Sequence, residues 1–310
     1  VAVAAGRVHP GRKRKRSRVM VKLVCGWLVA VAAILYGAHR FLSDSAPVVP
    51  PPATQVAAMA AVPGEDTALL DKVRQLCAET FVAFLAAGTP EERNQFVLAP
   101  ITTAARMAKF DSLNPILTID PQALKLARSA VVHFPGRLGV EMQWTTPDGH
   151  SLDTLFMEEN GEWRLDWDHY SRASDFPWAL FLAGSGGDQG EFRLLARERL
   201  ADERKSADTV SIVLYAPRPG FAGETGFQSP EFIIPRSTRD GRLLDAAFQL
   251  DRRGENPFGV MLPSINPEGL IRVRVKVRRI EQDLQRRFEI VEVVACHWYA
   301  VDQPGVEIPE

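Results

Sequence analysis

Cysteine is nearly absent from this chain: three in 310 residues, at Cys25, Cys77 and Cys296. No two lie at a metal or redox spacing, which excludes zinc-ribbon and thioredoxin-type chemistry. An interdomain Cys77–Cys296 disulfide and two buried thiols are the alternatives, and the apolar setting of both residues favours the thiols. Histidine is almost as scarce. His9, His39, His133, His150, His169 and His297 are scattered, and none falls in a His-x-x-x-His or Glu-flanked zinc spacing. The chain has no Gly-x-Ser-x-Gly elbow, no Walker loop and no dinucleotide fingerprint. Gly184-Ser185-Gly186-Gly187 follows a helical stretch rather than a strand and reads as a linker. No cofactor and no metal are expected.

Acid is missing from one end. Up to Leu42 there are nine Lys or Arg and no Asp or Glu, which leaves 28 basic against 38 acidic residues for the rest of the chain. Six of the nine crowd into residues 12–18, and residues 23–38, LVCGWLVAVAAILYGA, carry no charge. A helix over 19–42 rises about 36 Å, enough for the roughly 30 Å hydrocarbon layer. Lys22 and Arg40 can snorkel from its ends, and Trp27 and Tyr36 suit an interfacial depth. The expected partner is therefore a lipid bilayer through residues 19–42. Positive charge stays inside, so the expectation is a single-pass protein of the bacterial inner membrane with residues 1–18 in the cytoplasm and the body in the periplasm. A cleaved signal peptide is the competing reading. It lacks a small-x-small site, since Tyr36-Gly37-Ala38-His39-Arg40 is a poor one, and Cys25 has no lipobox before it. No nucleic acid partner is expected, because the adjoining apolar run accounts for the basic cluster better than a nucleic-acid patch does.

Pro47, Pro50, Pro51, Pro52 and Pro63 make residues 43–65 a semi-rigid spacer. Beyond it, Leu69, Leu70, Val73, Leu76, Cys77, Phe81, Phe84 and Leu85 recur every three or four residues, a helical stripe that Gly88 ends. Thr89-Pro90-Glu91-Glu92 is a capping box for a second helix, which Pro100 divides in two. The period then changes to two over residues 130–134, 138–145, 151–157 and 163–167, with Gly-bearing turns between. Alternation predicts one buried and one wet face. Trp144, Trp163, Leu165 and Trp167 would take the buried face, and Glu141, Asp166 and Asp168 the wet one. The fold class is α+β: helices on a curled antiparallel sheet over 66–183, a linker at 184–190, then a mainly β domain over 191–302 and a tail at 303–310. In that second domain, strands at 192–200, 210–215, 231–234, 270–278 and 288–299, with a short helix at 242–249 before the fourth, follow the order of an OB-type barrel.

Helix, helix and sheet closing on Gly161-Glu162-Trp163-Arg164-Leu165-Asp166-Trp167 resemble the cone-shaped domains of the nuclear-transport-factor-2-like superfamily. Residues 84–87 and 89–93, the Trp-Arg-Leu-Asp-Trp strand and Asp175-Phe176-Pro177-Trp178 are similar to a set of uncharacterised single-span bacterial membrane proteins. The resemblance covers about 66–183. It implies a cone-like fold and a membrane topology, and no activity.

Cone-fold enzymes place ionisable groups inside the cone, where burial shifts their pKa. His133 in a strand, and Asp153 on a face shared with Leu155 and Met157, are the two catalytic candidates. Each has a plainer reading, as an exposed strand histidine and an ordinary sheet carboxylate. Arg272, Arg274, Lys276 and Arg278 alternate with Ile271, Val273, Val275 and Val277, giving a basic ridge about 20 Å long. The ridge is either an anion-binding strip or a solvated face paired across strands with Glu289 and Glu292. The leading expectation is a structural or binding module; the alternatives are a cone-fold enzyme or small-apolar-ligand binder, and an anion-binding adaptor.

Overall fold

The computed structural model describes residues 64–114, 119–199, 206–218, 221–283 and 285–308. The expected span at 19–42 and nearly all of the spacer lie outside them. Among the described residues no helix is long and apolar enough to cross a membrane. The described part falls within one compact unit.

The chain opens with α1 (Gly64–Ala86), which buries Leu70, Val73, Cys77, Phe81 and Phe84 from its apolar stripe. Helix α2 (Pro90–Arg93) carries the full capping box: the Thr89 hydroxyl accepts from the Glu92 amide and the Glu92 carboxylate accepts from the Thr89 amide. Helix α3 (Pro100–Leu113) starts at the next proline. Four antiparallel strands follow in the order β1 (Lys125–Phe134), β2 (Arg137–Thr145), β3 (Ser151–Glu159) and β4 (Glu162–Leu165). Between β3 and β4, Asn160 and Gly161 both have positive φ, at 56° and 83°. That is the two-residue hairpin geometry Asn-Gly favours, and it fixes the Glu159–Glu162 register.

The helix-facing side of this sheet is a continuous apolar core. Val131, Val140, Met142, Trp144, Leu152, Phe156 and Leu165 pack with the stripe of α1 and with Met107 of α3. Phe81 lies 5.1 Å from Trp144, ring centre to ring centre.

Strand β4 is shorter than the sequence suggested. It ends at Leu165, and Asp166 becomes the N-cap of α4 (Trp167–Ser171), accepting from the His169 amide. After α5 (Trp178–Leu182) come β5 (Gln189–Glu198), β6 (Thr209–Pro217) and β7 (Thr225–Pro235), then α6 (Arg239–Arg252), β8 (Leu270–Gln282) and β9 (Gln285–Ala295). This second sheet is antiparallel at each pairing, in the order β7-β6-β5-β8-β9. Its core gathers Leu194, Ile212, Leu214, Leu243, Phe248, Val273 and Val275. The last strand stops at Ala295, four residues before the sequence pattern did. Residues 296–301 leave the sheet because Trp298, Tyr299 and Val301 are buried elsewhere.

Tyr299 and Val301 pack with Ala130, Val132, Phe134, Leu155 and Met157, the second face of the first sheet. The wet face read from the alternation is therefore covered. Glu141, Asp166 and Asp168 are buried, at 4, 1 and 7% exposure. Both faces of the sheet lie inside the protein, one apolar and one charged.

Candidate functional site

Asp153 stands opposite Gln143 in the β2–β3 ladder, on the covered face. Its partners come from two distant segments. Arg272 of β8 brings Nη1 to 2.6 Å from Asp153 Oδ2. His169 of α4 brings Nε2 to 3.2 Å from the same oxygen. Arg172, at the left-handed residue that ends α4, brings Nη2 to 3.4 Å from Oδ1. The two guanidiniums share one more neighbour, the Trp298 ring, with their carbons 5.2 Å (Arg172) and 4.7 Å (Arg272) from its centroid. The indole N–H of Trp298 donates to the Leu194 and Val273 carbonyls, which ties the assembly to β5 and β8. Asp166 accepts from the Ala300 amide at 2.6 Å, drawing the C-terminal segment onto the end of β4.

Glu141 completes the cluster, with the Tyr299 hydroxyl 3.4 Å from its Oε2. The two buried carboxylates are driven apart. Burial works to raise Asp153, but Arg272 first, then His169 and Arg172, outweigh it and hold the carboxyl well below its ordinary range. Burial pushes Glu141 up, more than His169 and Arg272 pull it down. Burial, then Glu141, push the Tyr299 phenol well above its ordinary range.

Separated carboxylate pKa values are the mark of an acid–base pair, so the space beside them decides. The cavity bordered by Glu141, Arg272 and Tyr299 measures about 60 Å³. Small-molecule sites run to roughly 300–1,000 Å³. The cavity is too small for an organic substrate. Glu141, Asp153 and His169 also offer one ligand atom each within 4.8 Å of one another. The charge is already balanced there, two carboxylates against Arg172 and Arg272, and a divalent cation would sit against both guanidiniums. The donor set fits arginine better than a metal.

His133 lies away from this cluster. Its side chain is 59% exposed and its Nε2 is 3.0 Å from Asp66 of α1. The basic ridge is not one exposed strip. Arg272 is turned inward onto Asp153, and Arg274 onto Glu191 and the Tyr299 and Val301 carbonyls. Lys276 pairs with Glu292 at 2.7 Å and Arg278 with Glu289 at 2.8 Å, each directly across the β8–β9 ladder. Cys77 and Cys296 are both free and buried in separate cores, and burial pushes each thiol up to about 12.

Sequence reasoning singled out Asp153 and the apolar face it shares. It missed His169, Arg172, Trp298 and Tyr299, whose signal was only that charged and aromatic residues cluster at 166–172 and 297–299. No family model matches the chain, and comparison with curated proteins and with solved structures finds no match.

Proposed function

We propose that this chain is a membrane-tethered binding or structural module whose body lies on the periplasmic side of a bacterial inner membrane. One observation carries the non-catalytic part of that reading. In the cluster of shifted ionisable groups, Glu141, Arg272 and Tyr299 border only about 60 Å³ of space, and the member that reaches the open groove of about 770 Å³ is Arg172, not a carboxylate. The cluster ties β3, α4, β8 and the C-terminal segment together, which is a structural role. The larger hollows among the described residues are open grooves lying against helices and strand ends, about 770 and 990 Å³ in size, and these suit a partner or ligand. Tethering rests on the polybasic run at 12–18 and the apolar run at 23–38.

The finer architecture belongs to the same proposal. The meander β1-β2-β3-β4 with α1 against one face supports a cone-like, nuclear-transport-factor-2-like first part. The order β7-β6-β5-β8-β9, with α6 between the third and fourth strands of that sheet, supports an OB-like second part.

Reporter fusions after Glu310 test the topology. An alkaline-phosphatase fusion should be active and a cytoplasm-dependent fluorescent fusion dark. The reverse pattern would overturn the tethered, outward-facing reading.

A further inference from the structure

Arg193 of β5 is a buried cation of the second sheet. It is 8% exposed. Its Nε donates to the Trp298 carbonyl at 3.2 Å and its Nη1 to the Ala173 carbonyl at 2.7 Å. Its one ion pair among the described residues is Asp168 at 3.9 Å. Arg106 already holds that carboxylate, with Nη1 2.6 and 2.7 Å from its two oxygens. Nη2 of Arg193 makes no hydrogen bond among the described residues and is not enclosed, so it is open to solvent. A buried guanidinium sharing one carboxylate at long range carries a desolvation cost that its partners do not cancel. Consistent with that, burial lowers its pKa, and Asp168 does not make up the difference.

Arg193 also lines the groove of about 770 Å³, together with Arg106, Lys109, Phe110, Trp178 and Phe227. The volume is that of a site for a small organic molecule. Its walls mix cations with aromatic rings. Phe227 is 68% exposed, and the buried indole N–H of Trp178 has no acceptor among the described residues. The unpaired Trp178 donor and an under-neutralised cation with a solvent-open N–H ask for an acceptor carrying negative charge, and the exposed Phe227 ring beside half-buried Phe110 asks for apolar surface. Of the four acids in the groove, Asp168 is taken by Arg106, Glu191 by Arg274 at 3.1 Å, and Asp175 accepts from the Glu191 amide; the fourth, Asp302, has no ion pair among the described residues, and six Lys or Arg line the same groove.

We infer that this groove binds an amphiphilic organic anion, its charged oxygen at Arg193 and its apolar part against Phe110 and Phe227. The inference rests on reading the body as a binding module and names the class of ligand.

The test uses the full chain in nanodiscs of neutral lipid, with empty discs as the blank, and 2-naphthoate as the probe. Calorimetry should show saturable binding at one site per chain. The uncharged 2-naphthamide should bind at least about tenfold more weakly, as the loss of a charged hydrogen bond requires. Arg193→Gln should weaken naphthoate by a similar factor. Phe227→Ala, at an exposed position that leaves folding intact, should weaken it by about fivefold. Should Arg193→Gln fail to fold, the amide comparison and Phe227→Ala decide. Absence of saturable naphthoate binding, equal affinity for the amide, or unchanged affinity in Phe227→Ala would overturn the inference. None of these would alter the fusion result, so failure of the ligand class and failure of the tethered reading are separable.

Discussion

The two faces of the first sheet are both buried, and they are buried by different physics. Toward α1 and α3, Trp144, Phe156 and Leu165 meet an apolar helix stripe, and area removed from water is the driving term. Toward the second sheet, Asp153, Glu141 and Gln143 sit beside Leu155 and Met157. There each polar group has to find a partner, because an unpaired buried charge is far more costly than an exposed one. The apolar face tolerates any good packing. The charged face requires Arg172, Arg272 and His169 to arrive from outside the sheet in one particular geometry, so it specifies how the remaining chain folds against β3.

The largest expected effects compare the faces directly. Asp153→Ala leaves Arg172 and Arg272 buried without their shared carboxylate and should cost about 3–5 kcal/mol. Phe81→Ala, on the apolar side, should cost about the same by removing a fully buried ring. Chemical denaturation of the two purified variants reads both. Were the Asp153 face wet, the first value would fall within about 0.5 kcal/mol of zero.

A smaller effect concerns acid. The Nδ1 of His297 accepts from the Tyr299 amide at 3.1 Å, and its Nε2 faces the Gln303 carbonyl at 2.7 Å. The ring therefore fits its place only when neutral. Burial lowers its pKa from 6.5 to about 3. A depressed histidine contributes stability that is whole above pH 6.5 and is lost as pH falls from there toward 3. The melting temperature should drop over that window, and His297→Gln should start lower at pH 8 and lose less on acidification. Parallel curves for wild type and variant would refute the assignment.

Glu141 has the opposite sign. Its folded pKa is raised, so its contribution is most favourable below the free value of about 4.3 and weakens as pH rises through the folded one. Glu141→Gln should therefore gain stability relative to wild type at pH 8 compared with pH 4. An equal difference at both pH values would show that Glu141 is not desolvated. The smallest effect is Arg278→Glu. It loses one exposed cross-strand pair with Glu289, and thermal melting should register at most a few tenths of a kcal/mol. A large loss there would mean that the outer half of the ridge does more than pair.

Local features of this fold were legible in the sequence. The stripe of α1, the capping box at Thr89, the Asn160-Gly161 turn and the period-two strands each depend on neighbours a few residues away. Which face of the sheet was wet was not legible. Alternation distinguishes two faces, and a charged face looks the same whether water or arginine satisfies it. Asp153 drew notice because Leu155 and Met157 share its face, which is odd for a wet surface. Its partners lie 16, 19 and 119 residues further along, at His169, Arg172 and Arg272, and no periodic pattern spans such gaps. The same limit explains the ridge. Alternating Arg and Val at 271–278 marks a half-buried strand, yet Arg272 and Arg274 are covered by the C-terminal segment that follows β9.

The central claim is that the Asp153 cluster is a structural tie between the two sheets. A double-mutant cycle on Asp153→Asn and Arg272→Met, read as unfolding free energy, measures that tie most directly. A coupling of about 2 kcal/mol or more, in the range found for residues in direct buried contact, is the expected result. Additive effects, with a coupling near zero, would contradict the claim and leave the charged face of β3 without an account of its burial.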